Sequence, residues 1–135
     1  ALPVDSPLWT DDPLTLHGVV GLAGLPNLDE AASRNLCFGA PQELIGGSPA
    51  KVPDRYQSGS VDALLPLGIP HAHIVGDVDK VVPVDYLQAF VDDANGLGDD
   101  ATLTTLADAG HFEIILAGSS VWHVTERAIL AALDD

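Results

Sequence analysis

The sequence predicts an α/β fold in three layers: a short parallel sheet of about three strands with flanking helices. Three apolar runs, at residues 17–25, 69–75 and 101–106, have the length and composition of strands. Helical patterns follow the second and third runs, at 83–95 and 121–133. Because strands that alternate with helices form right-handed crossovers, the three strands are expected to run parallel.

The remaining segments are short. Residues 1–15 are rich in Pro and Asp and predict an irregular arm. The stretch 39–60 is rich in glycine and is expected to be largely irregular. Brief helical segments are predicted at 29–35, with Asn27 or Asp29 as N-cap, at 42–45 and at 61–65. The last helix is expected to start after Ser119 or Ser120 as N-cap. The length of 135 residues fits a single domain over 1–135 with a modest core.

Charge and composition exclude several classes of function. Twenty acidic residues against five basic ones give a net charge of −15, which repels nucleic acids and anionic lipids. The sequence contains no run of 18 or more apolar residues, so no membrane span is predicted. The first residues show neither a basic segment nor a long apolar one, so we expect no signal peptide and a cytoplasmic location.

Two polar segments follow the second and third predicted strands. The first, GDVDKVVP at residues 76–83, contains Asp79, and the second, DAGHF at 108–112, contains His111. In open α/β sheets, ligands bind beyond the carboxyl ends of the strands, and neighbouring strands would bring these two side chains together. A carboxylate beside a histidine fixes its tautomer and stabilises the imidazolium, so Asp79 and His111 are predicted as an acid–base pair.

Other candidate residues have simpler interpretations. Asp77 could replace Asp79, but it lies closer to the strand and fits a turn. His71 and His73 share one face of the second strand; a metal pair is conceivable, but no third ligand is suggested, so we expect satisfied strand histidines. The single cysteine, Cys37, lacks the basic surroundings of a reactive thiol and is expected to be a small buried residue. His17 and His123 are expected at the surface or in packing.

The two polar segments together resemble the carboxy-terminal half of an α/β-hydrolase, in the branch of esterases, lipases and kynurenine-formamidase-like proteins. GDVDKVVP fits the family pattern that places the acid at Asp79, and AGHFE at 109–113 fits the loop that carries the histidine. HGVVGLAGL at 17–25 is similar to the sixth family strand, and Trp122 matches an aromatic residue that follows the histidine loop. The resemblance implies hydrolysis of a carboxylic ester or amide, with Asp79 orienting His111.

The nucleophile of that family is missing from this sequence. The family places its serine in a GxSxG elbow before the acid and the histidine, and no such elbow occurs here. Ser48, in GGSPA at 46–50, has the right position in the chain order. However, Pro49 has no N–H to donate to an oxyanion, and no strand leads into the motif. Ser48 is therefore expected to lie in a turn or helix cap.

Two hypotheses about function follow from the missing nucleophile. In the first, the chain is the acid- and histidine-bearing part of a serine hydrolase, inactive until a missing segment or companion chain supplies the serine. In the second, it is a non-catalytic α/β module that self-associates through the strand at 17–25, whose outer edge would otherwise stay unpaired. Neither a cofactor nor a metal is predicted, because no phosphate-binding glycine motif or complete ligand set occurs.

Overall fold

A three-stranded parallel sheet forms the centre of the computed structural model, which describes residues 4–7 and 9–133. Its strands are β1 (Val19–Leu22), β2 (His71–Gly76) and β3 (Ala101–Leu106), in the order β1–β2–β3. Val19 pairs with His71 and His71 with Ala101, so the three strands begin at the same level. The predicted parallel sheet with flanking helices is confirmed, and the segments after β2 and β3 leave from one edge of the sheet.

In the part of the chain that the structure describes, five α-helices accompany the sheet: α1 (Leu28–Ser33), α2 (Ala40–Ile45), α3 (Pro53–Gly59), α4 (Val84–Gly96) and α5 (Trp122–Ala131). Two 3₁₀ turns lie at Leu36–Gly39 and Asp62–Leu64. Asn27 is the N-cap of α1, because its side chain accepts a hydrogen bond from the N–H of Glu30. The N-cap of α5 is Val121, which makes no side-chain cap hydrogen bond, so the prediction of Ser119 or Ser120 at this position is wrong. The hydroxyl of Ser119, two residues before the N-cap, accepts from the N–H of Trp122 at 3.1 Å.

Helix α3 lies within the stretch that the sequence predicted to be irregular. Pro53 starts it, at a position where a missing N–H costs nothing and a fixed φ suits a helix. Tyr56 is buried and donates a hydrogen bond from its hydroxyl to the Gly47 carbonyl at 3.0 Å. One buried aromatic residue therefore stabilises a segment whose glycines and polar residues gave no clear helical pattern.

The main core is one buried cluster that joins the sheet to helix α4 and to neighbouring segments. Ile74 and Val75 of β2 pack with Tyr86 and Leu87 of α4 in one buried cluster. Val124 and Ala128 of α5 pack against the same cluster. The hydroxyl of Tyr86 also donates to the Asn27 carbonyl and accepts from the Asn27 N–H, at 2.8 and 2.9 Å. This pair of bonds ties α4 to the start of α1.

Strand β1 is shorter and more exposed than its apolar run suggests. Only four of the residues in 17–25 form the strand, and Val19 is 36% exposed. The reason is that β1 pairs with β2 alone, so its outer edge has no partner strand among the described residues. An unpaired edge of this kind is a template for pairing with another strand.

Other parts of the chain are irregular. The described part of the predicted arm, residues 4–7 and 9–15, has turns and bends but neither helix nor strand. Its first three residues and residue 8 lie outside the described part. No helix within the described ranges is long and apolar enough to cross a membrane.

Candidate functional site

Asp79 and His111 meet at the carboxyl edge of the sheet, as predicted. Asp79 lies in the turn after β2, and His111 lies in the loop after β3. Nδ1 of His111 is 2.8 Å from Oδ2 of Asp79, which is the distance of a charge-assisted hydrogen bond. Two residues far apart in the sequence are therefore joined because adjacent parallel strands end side by side.

The Asp79 carboxylate is held by the backbone that follows it. Its Oδ1 accepts hydrogen bonds from the N–H groups of Val81 and Val82, at 2.7 and 2.9 Å. Its side chain has no exposed surface, and Val82 beside it is also fully buried. One oxygen is thus used for fixing the carboxylate, which leaves the other aimed at His111. These two N–H groups belong to the site, although no side-chain pattern in the sequence could identify them.

Gly76, the last residue of β2, lets the two loops approach each other. A Cβ atom at this position would lie 1.9 Å from the carbonyl oxygen of Ala109. The same oxygen accepts a hydrogen bond from the N–H of Val78 at 3.2 Å. Only glycine allows the histidine loop to lie this close to the acid turn. The glycine of the GDVD motif is therefore required by packing at the site.

The histidine loop is anchored on both sides of His111. Before it, Asp108 adopts a left-handed backbone conformation with φ of 55°, which Asp tolerates better than most residues. After it, the Glu113 carboxylate accepts from the Gly110 N–H at 3.0 Å. Ile114 is buried, and its carbonyl accepts from the hydroxyl of Thr125 in α5 at 2.8 Å. The loop is consequently fixed to α5 and to the core.

His111 keeps one ring nitrogen available. Nδ1 is engaged by Asp79, and within the described ranges no hydrogen bond is made by Nε2. The side chain is 24% exposed, so a reacting group can reach the ring. Phe112 packs edge-on against the imidazole at 5.1 Å between ring centroids. A proton on Nδ1 that is donated to Asp79 leaves the lone pair of Nε2 free to accept a proton.

The alternative residues do not join this pair. Asp77 is exposed, and its backbone N–H continues the ladder by donating to the Leu106 carbonyl at 2.9 Å. Ser48 lies in the turn between α2 and α3, where its carbonyl accepts from Lys51 and Val52. Its hydroxyl makes no hydrogen bond to His111 within the described ranges. The structure therefore does not bring Ser48 to the pair.

Cys37 and the remaining histidines also lie outside the pair's hydrogen bonds. Cys37 is half-buried against the main core. Burial raises the pKa of its thiol, and the nearby Asp79 charge raises it further, so the thiol is protonated and a poor nucleophile at neutral pH. His17 and His123 are exposed. Among the described residues, no group of three or more His, Cys, Asp and Glu side chains is arranged to hold a metal ion.

His71 and His73 differ from the expectation that both would be satisfied. Both are buried in β2, with Nδ1 of His71 3.0 Å from Nε2 of His73. Among the described residues, Nδ1 of His73 has no hydrogen-bond partner, and Nε2 of His71 has no hydrogen-bond partner but lies 3.5 Å from Oδ2 of Asp99. The spacing of two residues correctly predicted that His71 and His73 lie on the same face of β2. It could not predict which ring nitrogens have hydrogen-bond partners. Burial, with a smaller effect from His71, lowers the pKa of His73 to about 4.

This shift predicts a loss of stability in mild acid. Between pH 6.5 and about 4 the unfolded chain binds a proton at His73 that the folded chain does not bind. The free energy of unfolding should therefore fall as pH drops through this window, by about 3 kcal/mol at 1.36 kcal/mol per pKa unit. Urea unfolding measures the difference in the free energy of unfolding between pH 7 and pH 4. In His73→Phe this difference should be about 3 kcal/mol smaller than in the wild type, because the variant has no imidazole at this position. Exposed His123→Gln is the control; an equal pH dependence in His73→Phe and the wild type would refute the prediction.

Comparisons with known proteins identify the fold. No family model matches the chain, and no curated protein matches it in sequence. Among solved structures, the acylaminoacyl peptidase of Pyrococcus horikoshii matches 96% of this chain with a TM-score of 0.66 and 19% identity. Esterase 2 of Thermogutta terrifontis, in its propionate-bound form, matches 97% of it with a TM-score of 0.65 and 17% identity. A puromycin hydrolase matches 70% with a TM-score of 0.59 and 19% identity.

The matched structures are α/β-hydrolases, and this chain has part of their fold. It spans only 20% of the peptidase, 47% of the esterase and 15% of the puromycin hydrolase. At these identities the likeness concerns the fold alone. The chain therefore corresponds to less than half the length of each matched structure.

Proposed function

Because the chain has part of an α/β-hydrolase fold, we propose that it is the acid–base part of a serine hydrolase that cleaves a carboxylic ester or amide. The observation that carries the proposal is the hydrogen bond between Asp79 and His111 at the carboxyl edge of the sheet. In the proposed reaction, Nε2 of His111 removes the proton from a serine hydroxyl as the oxygen attacks the substrate carbonyl. The same proton then passes to the leaving alcohol or amine.

The serine belongs to a segment outside this sequence or to a companion chain. Ser48 is excluded from the proposal because its turn lacks the strand-to-helix elbow that exposes a nucleophile. In addition, the N–H that should stabilise the oxyanion is absent at Pro49. The unpaired outer edge of β1 is the place where further strands of a complete sheet would pair.

An apolar surface lies beside His111. Phe112, Ile115 and Leu116 follow it in the same loop and are all more than half exposed. Exposed apolar groups clustered beside a polar site are typical of surfaces that bind a substrate or another chain. This patch supports an apolar acyl group in the substrate or contact with the segment that carries the serine.

The test of the proposal is reconstitution. Intact mass measurement and amino-terminal sequencing of purified native material should reveal a second polypeptide or a longer form of this chain. We expect ester or amide hydrolysis only when that additional segment is present, and His111→Ala in this chain should abolish the hydrolysis. Full activity of the complex with His111→Ala would contradict the proposal.

A second candidate function is a non-catalytic module that pairs with itself. The observation in its favour is the exposed edge of β1, where Val19 is 36% exposed. Sedimentation of the purified chain distinguishes the two. A stable homodimer with no additional polypeptide in native material would favour the self-associating module over the hydrolase.

A further inference from the structure

Two hydroxyl groups, from helix α5 and from the turn before it, hold the histidine loop. Ser119 donates a hydrogen bond to the Glu113 carbonyl at 2.7 Å, and Thr125 donates one to the Ile114 carbonyl at 2.8 Å. The two carbonyls belong to successive residues that follow His111 in the loop. The Ser119 bond is exposed, so water can replace it, whereas the Thr125 bond is buried. Thr125 is therefore the anchor whose loss water cannot readily compensate.

Thr125 is an unusual residue for its position in α5. It is the one buried residue of this helix, whose residues are all described, and it has no exposed surface. The apolar Val124 and Ala128 are only partly buried against the main core. A buried hydroxyl is unfavourable unless it makes a hydrogen bond, and valine has the same branched shape without that cost. A threonine can bond back to its own helix, but this hydroxyl donates to the loop, so it joins α5 to the loop as valine could not.

The opposite end of the histidine loop is held to the acid turn. The Ala109 carbonyl accepts a hydrogen bond from the N–H of Val78 at 3.2 Å. Residues 111–115, which follow this anchor, form turns without helix or strand. In such a segment the place of a side chain depends on where the two ends are fixed. His111 lies between the acid turn on one side and Thr125 on the other, so releasing the Thr125 end changes where the imidazole can lie.

We propose that Thr125 is a positioning residue for His111: its hydroxyl holds the Ile114 carbonyl so that Nδ1 of the imidazole reaches Asp79 at 2.8 Å. Thr125 acts through the backbone of the loop and not on the substrate. In Thr125→Val the Ile114 carbonyl loses a buried donor, and the loop must move for this carbonyl to find another. The effect on the hydrogen bond between His111 and Asp79 follows from this chain alone. Only the effect on turnover rests on the proposed hydrolase function.

The test follows the Nδ1–H proton of His111 by NMR in the full 135-residue chain at pH 7. In the wild type this proton is donated to Asp79 and should resonate at low field and exchange slowly with water. In Thr125→Val it should exchange about tenfold faster, the factor that corresponds to one buried hydrogen bond. Thr125→Ser keeps the hydroxyl and should restore slow exchange. Thr104→Val makes the same change at an exposed position of β3 and should leave the signal unchanged.

Two results with the variants would overturn the proposal. The first is wild-type exchange of the His111 proton in folded Thr125→Val, and the second is Thr125→Ser behaving like Thr125→Val. If Thr125→Val does not fold, the wild-type chain still decides the matter. Its Thr125 hydroxyl proton should be observable and exchange slowly, and a rapidly exchanging hydroxyl would overturn the proposal.

The assembled hydrolase gives a second readout. Thr125→Val should lower kcat about tenfold and leave KM unchanged, because it displaces the base without changing the contacts that bind the substrate. An unchanged kcat in this variant would overturn the proposal. If no added segment gives hydrolysis, the proposed function fails, while the spectra of this chain still decide the role of Thr125 because they do not need the serine.

Discussion

Replacing Gly76 with alanine is expected to lower the free energy of unfolding by about 3 kcal/mol, the upper part of the usual range for overpacking. The added methyl would lie 1.9 Å from the Ala109 carbonyl oxygen, which is backbone and cannot rotate away. The histidine loop must then move, and the hydrogen bond between His111 and Asp79 should be lost with it. Urea unfolding measures the first effect, and the Nδ1–H proton signal of His111 reports the second.

Gly96→Ala is the matched control for this substitution. Gly96 ends helix α4, and a Cβ atom there would have no other atom within 4 Å apart from its own helix and chain neighbours. Alanine in a helix is favoured over glycine by up to about 1 kcal/mol, so this variant should be as stable as the wild type or slightly more stable. If Gly76→Ala unfolds at the same urea concentration as Gly96→Ala, the histidine loop does not lie as close to Gly76 as in this structure.

Asp79→Asn should leave the fold intact but prevent the Asp79–His111 pair from acting as an acid–base pair. The amide oxygen can still accept from the N–H groups of Val81 and Val82, while the NH₂ group faces Nδ1 of His111. A donor at that position forces the proton onto Nε2, the nitrogen that must accept the proton of the serine. In the assembled hydrolase we expect kcat to fall by about 10⁴-fold, the size of effect that this change has in a serine protease triad.

The tautomer itself can be measured in this chain without the nucleophile. Long-range ¹H–¹⁵N spectra should show His111 protonated on Nδ1 in the wild type and on Nε2 in Asp79→Asn. Asp77→Asn is the control, because Asp77 is exposed and, within the described ranges, its side chain makes no hydrogen bond to His111. An unchanged His111 tautomer in Asp79→Asn would show that Asp79 does not orient the ring.

Much of the fold and of the candidate pair could be predicted from the sequence for a simple reason. The apolar runs at 69–75 and 101–106 are bounded by turn residues, and parallel strands necessarily end at the same edge of the sheet. Asp79 and His111 follow those ends by a few residues each, so topology alone places them together. The choice of Asp79 over Asp77 came from the hydrolase pattern that GDVDKVVP resembles, which places the acid at Asp79.

Other features depend on contacts that no local pattern describes. Helix α3 forms because Tyr56 is buried against distant residues, although Val52 followed by Pro53 was a usable signal of a helix start. The unsatisfied Nδ1 of His73 depends on a ring direction and on the absence of a side chain at Gly21. The need for glycine at position 76 arises from a carbonyl more than thirty residues away.

The central claim is that this chain holds the acid and the base of a hydrolase but not its nucleophile. Treatment of the purified chain with a fluorophosphonate probe, followed by mass mapping of the adducts, tests the claim directly. We expect no adduct on any serine of this chain, Ser48 included, and an adduct on the additional segment of the active complex. An adduct on Ser48 that disappears in His111→Ala would contradict it, because this chain would then carry a complete triad.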